Sequence, residues 1–218
     1  MRKTNFAIGE YYHIYNRGVD KRDIFLEPYD LQRFFQCMTE FNTQEPIGSI
    51  YENSFRKVSD TSEPTKPLVE FFVYCLNSNH FHFGVKQVAD RGVEKFMHRL
   101  GGGYTMYFNN KNKRSGSLFQ GKFKARHVDS NDYLLHLSAY INGNNQLGGR
   151  ASKLSKSSME EYLNPSTSSF CNKSIILGQF SNIEGYKRFL NGSIEDIGLR
   201  KQIHKDLYVD LEAEPPSK

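Results

Sequence analysis

Two histidines one residue apart, His80 and His82, stand inside the aromatic run FFVYCLNSNHFHFGV at 71–85. A strand sends alternate side chains to opposite faces, so these imidazoles share one face while Phe81 and Phe83 take the other. Paired imidazoles on a rigid strand can grip one divalent cation and leave positions open for a substrate. The plainer alternative is two polar residues on a half-exposed strand. A second group farther along favours the metal. In the stretch 131–144, NDYLLHLSAYINGN, Tyr140 and Asn144 stand four apart and share a helix face, with His136 one turn earlier on that side. A phenol, with an ordinary pKa near ~10, attacks phosphorus only where a phosphate is polarised or the phenol is deprotonated close to a metal. The Asn144 amide oxygen can complete the cation's shell. Two neutral nitrogens, one oxygen and open positions suit Mg2+ or Mn2+ better than a closed zinc site.

Elements must hold those side chains in place. Residues 11–16, YYHIYN, alternate as a first strand that ends at Arg17-Gly18. Asp30 can cap a helix on which Leu31, Phe34, Phe35 and Met38 recur at helical spacing. Residues 47–58 are expected as a strand and 60–67 as a solvated loop. Residues 68–77 and 81–87 read as a hairpin pair, or as one long strand broken near Asn77-Ser78-Asn79. Val93, Phe96, Met97 and Leu100 mark a helix that Gly101-Gly102-Gly103 should interrupt, since each glycine costs about 1 kcal/mol against alanine. The helix resumes over 104–109. Residues 117–128 read as a bulged strand, and 131–144 as a helix ending near Gly143. Later come one helical turn at 159–163 and one or two short helices within 175–190. The order strand–helix–strand–strand–helix–strand–helix predicts an α+β fold: one antiparallel sheet backed by helices on one face. A change to Gly, Ser, Asn and Lys after 147 places a boundary there, dividing a domain at 1–146 from a loop-rich extension with short helices at 147–218.

The 218 residues suffice for one sizeable domain with an extension. No apolar run approaches the ~18 residues of a membrane span, and the N-terminus lacks the apolar core of a signal peptide. Cys37, Cys75 and Cys171 are scattered without a CxxC pair, which fits a reducing, cytoplasmic setting. No GxxxxGK[ST] loop is present, so nucleotide hydrolysis is not expected. Lysine and arginine outnumber acids 29 to 24, a net charge of +5. That excess is compatible with a polyanionic partner without requiring one. Its placement says more: Lys111, Lys113, Arg114, Lys122, Lys124 and Arg126 follow one another with no acid between. Lys122, Lys124 and Arg126 alternate, so a strand would turn three cations toward a phosphate backbone. Asn16 and Arg17 either contact DNA or cap a turn. His13 and His127 read as structural or DNA-facing histidines rather than ligands, and Tyr133, Tyr104 and Tyr107 compete with Tyr140 as the reactive phenol.

The segment Asn79-His80-Phe81-His82-Phe83 resembles the histidine–hydrophobe–histidine (HUH) motif of single-tyrosine transposases. Around it lie YHIYNRG at 12–18, SGSLFQGKFK at 115–124, then Tyr133-Leu134-Leu135 and Ala139-Tyr140-Ile141, in the family's order. Together they resemble the transposases associated with repetitive extragenic palindromes, over residues 8–146. The chain departs from that pattern in carrying Asn77-Ser78 where Met-Pro is usual, and Asn144-Asn145 where Asn-Pro is common. The resemblance implies a ferredoxin-like, RNA-recognition-motif-like sheet whose central strand presents the histidines. It implies single-stranded DNA with palindromic or hairpin elements as partner, and a monomer or homodimer. By matching position Tyr140 is the nucleophile, and His80, His82 and Asn144 hold a divalent metal. The implied reaction is cleavage and rejoining through a 5′-phosphotyrosine. Two rival classes are a domesticated hairpin-binding protein that no longer cuts, and a metal phosphodiesterase that uses water.

Overall fold

The computed structural model describes residues 4–59, 66–147, 154–164 and 169–203. Among them, five strands form one antiparallel sheet in the order β4-β1-β3-β2-β5. The strands are β1 (Tyr11–Arg17), β2 (Val69–Asn77), β3 (His80–Gln87), β4 (Lys124–Val128) and β5 (Lys156–Ser157). The helices are α1 (Pro28–Glu40), α2 (Ile50–Ser59), α3 (Gly92–Lys111), α4 (Asn131–Leu147), α5 (Met159–Leu163), α6 (Ser174–Leu177) and α7 (Ile183–Ile203). The α+β class and the hairpin of β2 and β3 are as expected, and β3 is the central strand.

Strand alternation sorts the side chains into two layers. Tyr12 and Ile14 of β1, Tyr74 and Leu76 of β2, and Phe81, Phe83 and Val85 of β3 face α1 and α3, where Phe34, Met38, Phe96, Leu100 and Tyr104 complete the main core. The opposite face carries the paired histidines. There a second core joins Phe72 and Cys75 of β2 to Leu134, Leu137 and Ile141 of α4 and to Tyr162, Ile176, Tyr186 and Leu190 of the C-terminal helices. The expectation of helices on one face therefore holds for α1 and α3, while α4 lies across the other. A helix that must bring a tyrosine to the histidines has to share their face.

Residues after 153 dock through buried polar bonds as well as apolar packing. The Tyr162 hydroxyl donates to the Phe72 carbonyl at 2.5 Å and the Tyr74 hydroxyl to Glu161 at 3.0 Å. Asn142 of α4 donates to the Tyr186 hydroxyl at 2.9 Å, and Ser158 donates to Asn142 at 2.6 Å. A Cβ on Gly143 would sit 2.5 Å from Ile194, so the missing side chain lets α4 and α7 approach closely. The boundary expected near 147 falls at the end of α4, and residues 148–153 lie outside the described residues.

Several local expectations are corrected. Residues 50–59 form a helix, not a strand: the Glu52 amide donates to Ser49 Oγ and the Ser49 amide to the Glu52 carboxylate, a reciprocal cap. Residues 60–65 of the expected loop lie outside the described residues. The first helix starts two residues before Asp30, with Glu27 as cap and Pro28 in its first turn. Asp30 sits inside the turn and accepts the Leu26 and Glu27 amides. The three glycines do not interrupt α3. Val93, Phe96, Leu100, Tyr104 and Phe108 bury one continuous face, and this outweighs the glycines' propensity cost. Gly103 is needed there, because a Cβ would sit 2.5 Å from the Phe41 ring. Only 124–128 of the expected strand 117–128 is regular. Before it the chain turns through Gly116 and Gly121, both at positive φ, and Phe119 makes one bridge to Gly18. The helix expected to end near Gly143 runs to Leu147, and α7 extends well past 190.

Candidate active site

Sheet register assembles the site. Within the β1–β3 pair, Arg17 stands opposite His80, Tyr15 opposite His82 and His13 opposite Gly84. Within the β1–β4 pair, Lys124 stands opposite Tyr15 and Arg126 opposite His13. Directly paired residues of antiparallel strands project to one face. That face therefore holds His80, His82, His13, Tyr15, Arg17, Lys124 and Arg126 together.

Helix α4 crosses above it. The Tyr140 ring stands edge-on to the His82 ring at 5.6 Å between centroids, and 6.4 Å from that of His13. One turn on, Asn144 Oδ1 lies 3.3 Å from His80 Nε2. The amide of Asn77 lies between them and donates to Asn144 Oδ1 at 2.7 Å, with its nitrogen 2.9 Å from His80 Nε2. His80 Nδ1 faces Asn79 Oδ1 at 2.6 Å. That oxygen can only accept, so the His80 proton sits on Nδ1 and Nε2 is an acceptor facing the Asn77 amide.

Two acceptor atoms thus aim at one point, where an amide hydrogen-bond donor now sits. Cis ligands of an octahedral cation bound at about 2.1 Å lie about 3 Å apart, close to the 3.3 Å between His80 Nε2 and Asn144 Oδ1. An imidazole nitrogen and an amide oxygen are both donors that a divalent cation can accept. Among the described residues no three His, Cys, Asp or Glu side chains converge as a metal cage, so the set depends on the amide.

His13, read from the sequence as structural or DNA-facing rather than a ligand, lies within the site. Its Nε2 lies 2.9 Å from His82 Nδ1, the two rings are stacked at 5.2 Å, and Tyr15 covers both at 4.8 and 5.6 Å. Burial, reinforced by the nearby Arg126 charge, lowers the His13 pKa to about 3, so this imidazole is neutral. The one available signal was its parity with Tyr15 and Arg17 on the first strand. His136 turns away and packs on Phe189, with ring centroids 5.5 Å apart.

The competing tyrosines separate clearly. Tyr104 is fully buried and donates to the Ile24 carbonyl, and Tyr107 donates to Asp30, both on the far side of the sheet. Tyr133 lies under the Arg126 guanidinium at 4.8 Å, and burial raises its pKa although the arginine opposes this. Lys122 precedes β4, while Lys124 and Arg126 lie on it; all three are exposed. Arg17 Nε donates to Gln120, and the Asn16 amide donates to the Gly121 carbonyl at 3.3 Å, so both tie the basic loop to β1. Asn16 pairs with Phe81 and falls on the opposite parity to Arg17.

Comparison with known proteins agrees with this geometry. Residues 51–144 match the model of the IS200-like transposase family, a segment running from α2 through both histidines, the basic loop and Tyr140 to Asn144. That match spans 94 of the 218 residues and marks a likeness to the IS200-like transposases over this segment. Among solved structures it is similar to a REP-associated tyrosine transposase bound to a REP hairpin. The TM-score is 0.50 at 11% identity, covering 78% of this chain and 88% of that one, and the likeness is one of fold. No curated protein matches the chain. Among the described residues no helix is long and apolar enough to cross a membrane.

Proposed function

We propose that this protein is a transposase that cleaves and rejoins single-stranded DNA bearing palindromic or hairpin elements, through a 5′-phosphotyrosine on Tyr140. The observation that carries the reading is the meeting of two helical residues with two strand residues: Tyr140 beside His82, and Asn144 beside His80. His80, His82 and Asn144 would hold Mg2+ or Mn2+. When bound, the cation supplies Lewis acidity to a scissile phosphate. Tyr140 supplies the oxygen that attacks phosphorus and leaves a free 3′-hydroxyl, and the reverse attack by a 3′-hydroxyl restores a phosphodiester. Bond energy is conserved in the ester, so no nucleotide cofactor is needed. Lys124 and Arg126 flank the histidine face and Lys122 precedes them, placed to grip the backbone of the incoming strand; Arg17 and Asn16 hold the loop beside it. The hairpin held by the structurally similar transposase supports a folded, base-paired element in the substrate. The setting is the cytoplasm.

The test incubates the protein with labelled single-stranded palindromic DNA and Mn2+ and resolves the products on a denaturing gel. A covalent protein–DNA band is expected, lost in His80→Ala and in the presence of a chelator. Hydrolysed DNA with no trapped protein would instead indicate attack by water.

A further inference from the structure

We infer that His13 is a positioning residue that fixes the tautomer and ring orientation of His82, so that His82 Nε2 faces the metal position. The inference rests on the proposed metal role of His82.

The two candidate ligands differ in what holds them. His80 has Nδ1 against the oxygen of Asn79, which leaves Nε2 without a proton by hydrogen-bond chemistry alone. His82 instead has Nδ1 against another imidazole nitrogen, His13 Nε2, at 2.9 Å. One hydrogen lies between those nitrogens. With Nδ1 occupied, Nε2 is the nitrogen left to His82 for a metal, and it carries a lone pair in the neutral ring only if the shared hydrogen belongs to His82. His13 must then accept at Nε2 and carry its own proton at Nδ1. Its surroundings favour that role. The ring is buried, stacked on His82 and packed at a tilt against Tyr15, so its orientation toward His82 is fixed. His13 is not itself a third ligand: its Nε2 is taken by the bond to His82, and register places it opposite Gly84, two pairs beyond that of His82 and four beyond that of His80. Outer partners of this kind set ligand orientation, and losing one typically weakens metal binding by about 10–100-fold.

The experiment uses full-length protein labelled with 15N-histidine, without metal, and reads imidazole tautomers from long-range proton–nitrogen spectra, with His82 assigned from His82→Gln. His82 is expected as the Nδ1–H tautomer. In His13→Phe, which keeps an aromatic ring but no acceptor, His82 should shift toward Nε2–H, and calorimetric Mn2+ affinity should fall about 10–100-fold. His13→Gln retains an acceptor oxygen and should lose less. An Nε2–H tautomer in the unaltered protein overturns the inference even if the variants fail to fold; so does unchanged Mn2+ affinity in a folded His13→Phe. Failure of the metal role would look different: Mn2+ binding would be indifferent to His80→Ala.

Discussion

At the scale of single residues, the proposed cation would have to contest two acceptors with an amide. Asn77 donates to Asn144 Oδ1 and lies within hydrogen-bond distance of His80 Nε2, so a metal must displace it. Asn77→Ala should therefore tighten Mn2+ binding by about fivefold, for one net hydrogen bond of about 1 kcal/mol. Asn144→Ala should weaken it. Calorimetry on both variants decides, and a tenfold loss in Asn77→Ala would show that the amide orients the ligands rather than competing. Much of this was legible in the sequence. Strand parity alone pairs His80 with His82, and the four-residue spacing pairs Tyr140 with Asn144. His13 was not legible, because its role depends on which strand lies beside β3 and in what register, and both are long-range facts. Asn77 was visible only as a departure from the family pattern. Its chemistry depends on a helix more than 50 residues away in sequence.

At the scale of elements, the misread segments share one cause: local propensity weighed without its tertiary partner. Residues 47–58 alternate well enough for a strand, yet Ser49 and Glu52 form a reciprocal cap that starts α2. Ser49→Ala should cost about 1 kcal/mol, seen as a small drop in melting temperature. The glycines of α3 cost helix propensity, but Gly103 fits against Phe41 where any side chain would collide. Gly143 plays the same part for α4 against Ile194 of α7, and this contact helps seat the tyrosine-bearing helix. Gly143→Leu should push α7 away from α4, lower the melting temperature, and reduce covalent adduct more than DNA binding. Equal loss of both would assign Gly143 to the fold rather than to the seating of Tyr140.

At the scale of the whole molecule, charge and acid stability make separate predictions. If Lys122, Lys124 and Arg126 grip phosphates, log affinity for single-stranded DNA should fall linearly with log salt. Each charge removed should flatten that slope by about 0.7. A slope unchanged in the triple alanine variant would remove this edge from the interface. Acid stability turns on Asp30, wholly buried at the start of α1. Burial acts to raise its pKa, but hydrogen bonds from Lys111, the Leu26 amide and Tyr107, with the Lys111 charge, together hold it below the ordinary 3.8. A depressed folded-state pKa adds stability above the unfolded value and loses it as pH falls through the folded one. Denaturant melts below about pH 4 should therefore lose stability in the unaltered protein, with Asp30→Asn showing a shallower decline.

The central claim is that the phenol on α4 becomes joined to DNA beside the paired imidazoles of β3. Its most direct measurement is peptide mapping by mass spectrometry of protein trapped on single-stranded palindromic DNA with Mn2+. A nucleotide mass on the peptide containing Tyr140, absent from the corresponding Tyr140→Phe sample, is the expected result. The same mass found on Tyr133, or undiminished in Tyr140→Phe, would contradict it.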